Sequence, residues 1–291
     1  MAVAQLAIAP AVRRRPVSFS LRKFAFRVAA ALIVIWSSAP FLWQVSTAFQ
    51  SDSKLMAATP SLLPDPITFE HFYNIFVVKK FHLYLINSAI IAGSTTVICL
   101  VLAALSAFAL ARLRVRNRFG LLGLILSVSM FPQIAIVAPL YLTASQLGLL
   151  NTYFSLIVVY VALGLPLTIW VLFGYFSTIP KEIDEAANMD GAGPFRTLFS
   201  VTLPMSLPGV VTTGLITFIA AWNEFMFALA FTSDIKVQTV PVGIANFQIL
   251  YYVPWGDLAA ASVVVTVPLV AIVLVFQRHI IAGLTQGAVK E

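Results

Sequence analysis

Six long apolar stretches run through this 291-residue chain, at about 28–49, 83–111, 119–143, 153–177, 205–231 and 257–280. At 1.5 Å per residue, each is long enough as a helix to cross roughly 30 Å of hydrocarbon. Lipid offers the backbone no hydrogen-bond partners, so an apolar run of that length satisfies its own amides best as a helix. The pattern predicts an all-α polytopic membrane protein with six transmembrane helices. Pro132 and Pro139 should kink or interrupt the third. Gly164 and Pro166, near the middle of the fourth, and Pro268 in the sixth should break their helices in the same way.

The segments between these stretches differ in kind. Residues 50–82 form a long polar loop with Pro60, Pro64 and Pro66, and residues 146–152 a short connector. Residues 178–203 form a water-facing loop between the fourth and fifth stretches. The loop 232–256 contains an apolar piece, 242–252, too short to cross and suited to a re-entrant or surface helix. A basic leader, 1–27, precedes the six-helix domain of 28–280, and a short tail, 281–291, follows it. Leader and first stretch have the outline of a signal peptide. The apolar run exceeds the usual 7–15 residues of such a segment, which favours an uncleaved first helix.

Composition agrees with a membrane domain. The chain is 60% hydrophobic and only 10% charged, where a soluble domain carries about 25% charge, and its mean hydropathy is +0.95. The single cysteine, Cys99, lies inside the second stretch and excludes an intrachain disulfide. The net charge of +7 takes its meaning from where it sits. Six spans place both termini on one side. That side receives six Lys and Arg in the leader, four in 112–118, then Lys181, Arg196, Arg278 and Lys290. The other side receives Lys54, Lys79, Lys80 and Lys236, which completes the 18. The positive-inside rule therefore puts both termini and the loop 178–203 in the cytoplasm. The basic excess reads as topology and anionic lipid contact, not as nucleic-acid binding.

The loop 178–203 holds Glu182, Asp184, Glu185 and Asp190, four of the chain's 11 acidic residues. Pro180 suits the first turn of a helix with Ser177 or Thr178 as its cap, and Glu182 and Asp184 favour the positive end. Gly191 is placed to end that helix in a left-handed conformation. Residues 192–194 turn the chain, 195–201 form a second short helix, and Pro204 opens the fifth span. The product is a compact knob with a glycine corner. Ala186, Ala187 and Ala192 allow another protein to approach closely, and Glu185 and Asp190 can pair with its basic groups or with the knob's own backbone. On these physical grounds alone, a solvated loop whose acids merely cap helices fits equally well.

A resemblance separates the two. The run Glu185-Ala-Ala-x-x-Asp-Gly-Ala192, followed by Phe199, Leu203 and Pro204, resembles the EAA loop of ATP-binding-cassette (ABC) importer permease subunits in both spacing and place. QLGLLNTY (146–153), GLPLTIW (164–170), AWNEF (221–225), WGDLAA (255–260) and QRHIIAGLTQGAVK (277–290) narrow it to the carbohydrate branch. There the chain is similar to the maltose-type second permease subunit. The resemblance covers nearly everything beyond the leader. It implies a non-enzymatic subunit in a prokaryotic inner membrane, importing a carbohydrate such as maltose or trehalose. It also implies the partners: a second homologous permease in a heterodimer, two copies of a cytoplasmic ABC ATPase, and an extracytoplasmic sugar-binding protein that the loop 232–256 helps receive. By the same resemblance Glu185 anchors the knob in a cleft of the ATPase, and Thr285, Gln286 and Gly287 of the tail reach the ATPases too. The chain contains no G-x-x-x-x-G-K-S/T run, so it has no phosphate-binding loop of that kind. No cofactor is expected on this chain, and ATP and Mg belong to the partner.

For the substrate pathway the candidates are Trp222, Asn223, Glu224 and Gln133. An acid within a span draws attention because exposing it to lipid costs at least ~2.5 kcal/mol. Aromatic rings beside hydrogen-bonding groups suit a sugar, whose C–H faces stack while its hydroxyls bond. Equally, Glu224 can pair with a neighbouring helix or subunit. Asp257 most simply caps the sixth span. His71, His82 and His279 show no ligand spacing and read as ordinary interface residues. Subunits for glycerol phosphates or amino-sugars are built alike. An ion-coupled secondary transporter would predict several intramembrane ionisable groups and often an inverted repeat, neither of which is visible. An intramembrane enzyme would need a nucleophile–base pair or a metal set, and no histidine lies at mid-depth.

Overall fold

The computed structural model describes residues 21–286 except 58, 60, 114 and 249–251, with the side chains of 21, 22 and 279–286 also outside the description. The leader up to residue 20 and Gly287 therefore lie outside the described residues. All elements among the described residues are helical. The chain divides into two units after Trp43. The first unit is most of α1 (Leu21–Ala48), a helix that contains Pro40 without interruption. Its stretch Lys23–Ala48 is apolar enough to cross a membrane and has none of its most apolar window buried.

The second unit opens with two short helices, α2 (Asp52–Leu55) and α3 (Glu70–Tyr73), and a π-helical turn, Asn74–Val78. The 32-residue α4 (Phe81–Arg112) follows. Next come α5 (Arg118–Ser129), α6 (Gln133–Gln146) and α7 (Tyr153–Thr178). A cluster of short pieces follows: α8 (Lys181–Met189), α9 (Pro194–Thr197), a π-helical turn Leu198–Thr202, and α10 (Leu203–Met205). The chain closes with α11 (Leu207–Trp222), α12 (Met226–Phe231), α13 (Val240–Ala245) and α14 (Trp255–Gln286).

Four helices, α1, α4, α7 and α14, are long and apolar enough to cross a membrane unaided. Two bent pairs bring the number to six if each counts as one span: α5 with α6, bent by 80°, and the 194–205 helix with α11, bent by 84°. Pro132 makes the first bend, adopting an extended ψ of 119° immediately before α6, because its ring cannot continue a helix already in progress. Contrary to expectation, Pro139, Pro166 and Pro268 do not interrupt their helices, each of which continues through its proline. The fifth stretch departs from expectation. It stops at Trp222 and restarts at Met226, although no proline marks the break.

The core is the seam between α4 and α7, crossed by α11. The buried face of α4 is built from small residues, Ala92, Cys99, Ala103, Ala107 and Ala111, spaced at three- to four-residue multiples so that they share one side. Small residues let helix backbones approach in lipid, where dispersion rather than water exclusion holds helices together. On α7, a Cβ at Gly164 would stand 3.5 Å from Cys99 Sγ and 3.7 Å from Thr217 Cγ2, so the three helices meet there. The hydroxyls of Thr168 (α7) and Thr217 (α11) lie 3.0 Å apart, one donating to the other. The remaining proton goes to a carbonyl of its own helix, Gly164 at 2.7 Å or Thr213 at 3.0 Å. Such interhelical bonds average about 0.6 kcal/mol in membranes.

Two apolar clusters flank this seam. One joins Phe81, Tyr84, Ile91, Leu156, Tyr160, Trp222 and Phe227. The other joins Ala107, Phe108, Ala111, Leu122, Leu172 and Phe176 with Leu198 from the second π-helical turn. Leu198 is 1% exposed, and it seats the short helices after α8 against α4 and α7.

Candidate functional site

The knob forms where the sequence puts it, with some changes in its parts. Pro180, at ψ 141°, precedes α8 instead of entering its first turn, and the helix start has no side-chain cap. The Thr178 hydroxyl donates backward to the Tyr175 carbonyl at 2.7 Å and closes α7. Glu182 and Asp184 occupy the first turn of α8, where the exposed backbone N–H groups favour negative charge. At the other end Gly191 sits at φ +76°. Its N–H donates to Asn188 O at 3.0 Å, and the Ala192 N–H donates to Ala187 O at 2.9 Å. That pair of bonds is the Schellman stop. Pro194 then opens α9, and the helix widens through Leu198–Thr202 to α10. Pro204 lies in α10, exposed and ahead of the 84° bend. Pro204 thus lies on the arm before the bend, and the straight arm of this bent pair, α11, starts at Leu207 with Pro208 in its first turn. The bend falls there because Ser206 leaves helical geometry at φ −95°, ψ 12°.

Glu185, Ala186, Asp190 and Gly191 are exposed and Ala192 is half-buried. Ala187 is 8% exposed, so its methyl is taken up by packing within the chain instead of facing outward for another protein. Around the exposed residues stand Met189 at 88% exposure, Phe195 at 71% and Phe199 at 56%. The carboxylates of Glu185 and Asp190 have no ion pair or side-chain hydrogen bond among the described residues.

The base of the knob is clamped by Arg112, the last residue of α4. Its Nη1 donates to Ile179 O at 2.8 Å and its Nη2 to Pro180 O at 3.4 Å. Its Nε lies 3.0 Å from Asp184 Oδ2, and the guanidinium side chain is 3% exposed. In the sequence, Arg112 is simply the first of a basic run. Its position at a span's C-terminal end was the only sign of a specific task.

The candidate pathway residues separate in the structure. Trp222 ends α11, 3% exposed and stacked on Phe218 at 5.5 Å. The Asn223 side chain donates to Ile219 O at 2.8 Å. Both line a cavity of about 410 Å³ together with Phe225, Val240, Pro241 and Val265. Glu224 does not lie within a continuous span. It occupies the break, and its carboxylate accepts from the N–H groups of Phe227 at 2.9 Å and Ala228 at 3.1 Å. It thereby caps α12, satisfying two of that helix's free amides. The Tyr160 hydroxyl faces the same carboxylate without reaching hydrogen-bond geometry. Gln133 is exposed in the first turn of α6, apart from the cavity lining. Thr285 and Gln286 belong to the last turn of α14.

A third cluster was unreadable in the sequence. His71 is 2% exposed, with Nδ1 2.8 Å from Asp257 Oδ1 and Nε2 2.8 Å from Gln50 O. Lys79 Nζ lies 2.9 Å from Asp257 Oδ2 and 3.9 Å above the Phe247 ring. Asp257 therefore works as the centre of a buried charge cluster and not as a simple helix cap, and His71 is not the ordinary interface residue expected. The cluster fastens the 50–79 segment to the first turn of α14. It could not be read because its central pair, His71 and Asp257, lies 186 positions apart. The Asp257 hydrogen bond holds His71 above its ordinary pKa against the opposing effect of burial, aided by the Gln50 carbonyl and the nearby Asp52. No group of three or more metal-ligating side chains occurs among the described residues.

Residues 99–286 match the family model of the binding-protein-dependent transport system inner membrane component. The chain is 41% identical over 278 residues to a trehalose/maltose transport system permease protein of Thermococcus litoralis, covering 93% of this chain and 98% of the relative. It is 40% identical over 261 residues to a trehalose transport system permease protein of Mycobacterium tuberculosis, covering 89% and 94%. Among solved structures, it is similar to a chain of a bacterial ABC transporter involved in importing the acidic polysaccharide alginate. That similarity has a TM-score of 0.75 at 22% identity, over 90% of this chain and 99% of the other. The alginate transporter solved with a pentasaccharide-bound periplasmic protein gives 0.62 at 17%, over 88% and 93%.

Proposed function

The chain belongs to the binding-protein-dependent transport system inner membrane components, and from that premise we propose that it is the second permease subunit of an ATP-driven carbohydrate importer. It crosses the cytoplasmic membrane six times with both termini inside, and the bent pairs α5–α6 and α9–α11 supply two of the crossings. It pairs with a homologous permease, and two copies of a cytoplasmic ATPase dock on the pair. A binding protein delivers the sugar from outside. ATP and Mg act in the ATPase, and this chain carries force and cargo.

The observation that carries the reading is the outward face of the knob. Glu185, Asp190, Met189 and Phe195 are all exposed, while the knob's base is fixed to α4 by Arg112. A rigid element with a free contact face can transmit a push. The cargo is read from the cavity, whose lining offers an indole, a phenyl ring and one amide and no cationic side chain. That lining suits a neutral di- or oligosaccharide better than a glycerol phosphate, since an apolar wall leaves a phosphate's charge unpaired. Trehalose and maltose head the candidates because one relative named above is a trehalose/maltose permease and the other a trehalose permease.

The test is co-purification with a candidate ABC ATPase partner expressed together with it. The wild-type chain should retain ATPase in stoichiometric amount, and Glu185→Ala should lose most of it while inserting normally. Full ATPase retention and uptake in Glu185→Ala would remove the coupling role from the knob. A stable, transport-competent homo-oligomer without ATPase would remove the importer reading altogether.

A further inference from the structure

The chain connects the knob directly to α7 on one side and to α11 on the other, yet nothing in the connectivity ties it to α4. We propose that Arg112 is the joint through which displacement of the knob reaches α4, a positioning residue that makes α4 move with it. The proposal rests on the coupling role given above to the knob. Three contacts from one guanidinium carry it. Two go to the carbonyls of Ile179 and Pro180, the only residues between α7 and α8, and one goes to Asp184 in the first turn of α8. A planar fork of five donors can grip a carboxylate and two carbonyls together, whereas an ammonium cannot match that geometry.

The surroundings suit a joint. Leu198, in the turn after α9, is buried in the same apolar cluster as Ala107, Phe108 and Ala111 of α4 and Leu172 and Phe176 of α7. The knob thus shares an apolar cluster with α4 in addition to the polar clamp. The clamp is not fully aligned. Arg112 Nε contacts Asp184 as a charge pair without hydrogen-bond geometry, and Asp184 Oδ1 is buried with no partner. A small rotation of α8 can therefore tighten or slacken the pair without breaking the two carbonyl bonds. Since α4 forms the central seam with α7 and is crossed by α11, moving α4 with the knob carries both its neighbours.

The experiment uses the whole complex reconstituted in proteoliposomes, carrying Arg112→Ala, Arg112→Lys or Asp184→Asn. Three quantities are measured: ATPase retained, ATP hydrolysed, and uptake of whichever of trehalose, maltose and diacetylchitobiose the wild type transports. All variants should retain ATPase. Uptake per ATP should fall about tenfold in Arg112→Ala and less in Asp184→Asn. Arg112→Lys should recover part of the loss, because it keeps the charge and a donor. Unchanged uptake per ATP in both Arg112→Ala and Asp184→Asn overturns the proposal. So does a strictly proportional fall of uptake and hydrolysis, the signature of a damaged fold. Should Arg112→Ala fail to insert, Asp184→Asn removes only the charge and decides alone. Absence of ATPase from the wild-type preparation would defeat the coupling reading itself, and the joint with it.

Discussion

Gly191 stands at φ +76° with its amide already committed to Asn188, so a side chain there must accept the left-handed region. For an L-residue that costs about 1–2 kcal/mol. Gly191→Val should weaken ATPase retention clearly, and Gly191→Asn much less, since asparagine tolerates this conformation. Glu224 gives a second residue-level test. Its two backbone bonds predict that Glu224→Ala destabilises the chain by about 1 kcal/mol, read as a lower melting temperature in detergent. Glu224→Gln keeps one acceptor and should lie between. If the carboxylate also touches cargo, Glu224→Gln should raise the KM for uptake, whereas a pure cap leaves KM unmoved. Such local features were the most legible in the sequence. A glycine after an acidic helix, or an acid in an apolar run, declares itself by type alone. What the acid bonds to did not show, because its partners are backbone amides that every residue possesses. Arg112 was opaque for the opposite reason: its partners lie 67 and more positions away.

At the scale of elements, the His71 cluster behaves as a latch on the 50–79 segment. Both ring nitrogens face oxygens that only accept, the Asp257 carboxylate and the Gln50 carbonyl, so the doubly protonated ring satisfies both contacts. Lys79 and Asp52 also face the site. With its folded-state pKa raised, His71 contributes stability that is complete below the unfolded value of about 6.5. That contribution fades as pH rises through the higher folded value. Protection of the 69–78 amides, taken relative to their intrinsic base-catalysed exchange, should therefore fall on the alkaline side, and His71→Gln should flatten that profile. An unchanged profile in His71→Gln would assign the pH effect elsewhere. The meeting of α7 and α11 gives a further test. A Cβ on Gly209 would run into the Tyr175 ring, so Gly209→Ala should shift the bend at Ser206 and cost about 1–3 kcal/mol, seen as reduced thermal stability. The break at Asn223 shows where pattern reading ends. Apolar residues continue on both sides of it, and hydropathy measures how a stretch partitions, not whether one helix axis runs through it.

At the scale of the whole molecule, topology is the open quantity most easily measured. Cys99 is buried, so single cysteines placed at 189 and 236 can be labelled against a quiet background. Position 189 should react only with reagents reaching the cytoplasm and position 236 only from outside. Labelling of both from one side would overturn the six-span arrangement. The order of the long helices was visible in the sequence because each is set by its own run of apolar residues. The bend at Pro132 was visible too; the seam and the bend at Ser206 were not, since they depend on which small residues face each other. The clamp at Arg112 has a last consequence, for recombination between relatives. Its donors sit at the end of α4 and its acceptors at 179, 180 and 184. A chimera exchanging only 181–205 would import a carboxylate shaped for a foreign arginine. An exchange running from 112 through 205 would transplant the hinge whole, and its product should be the better transporter.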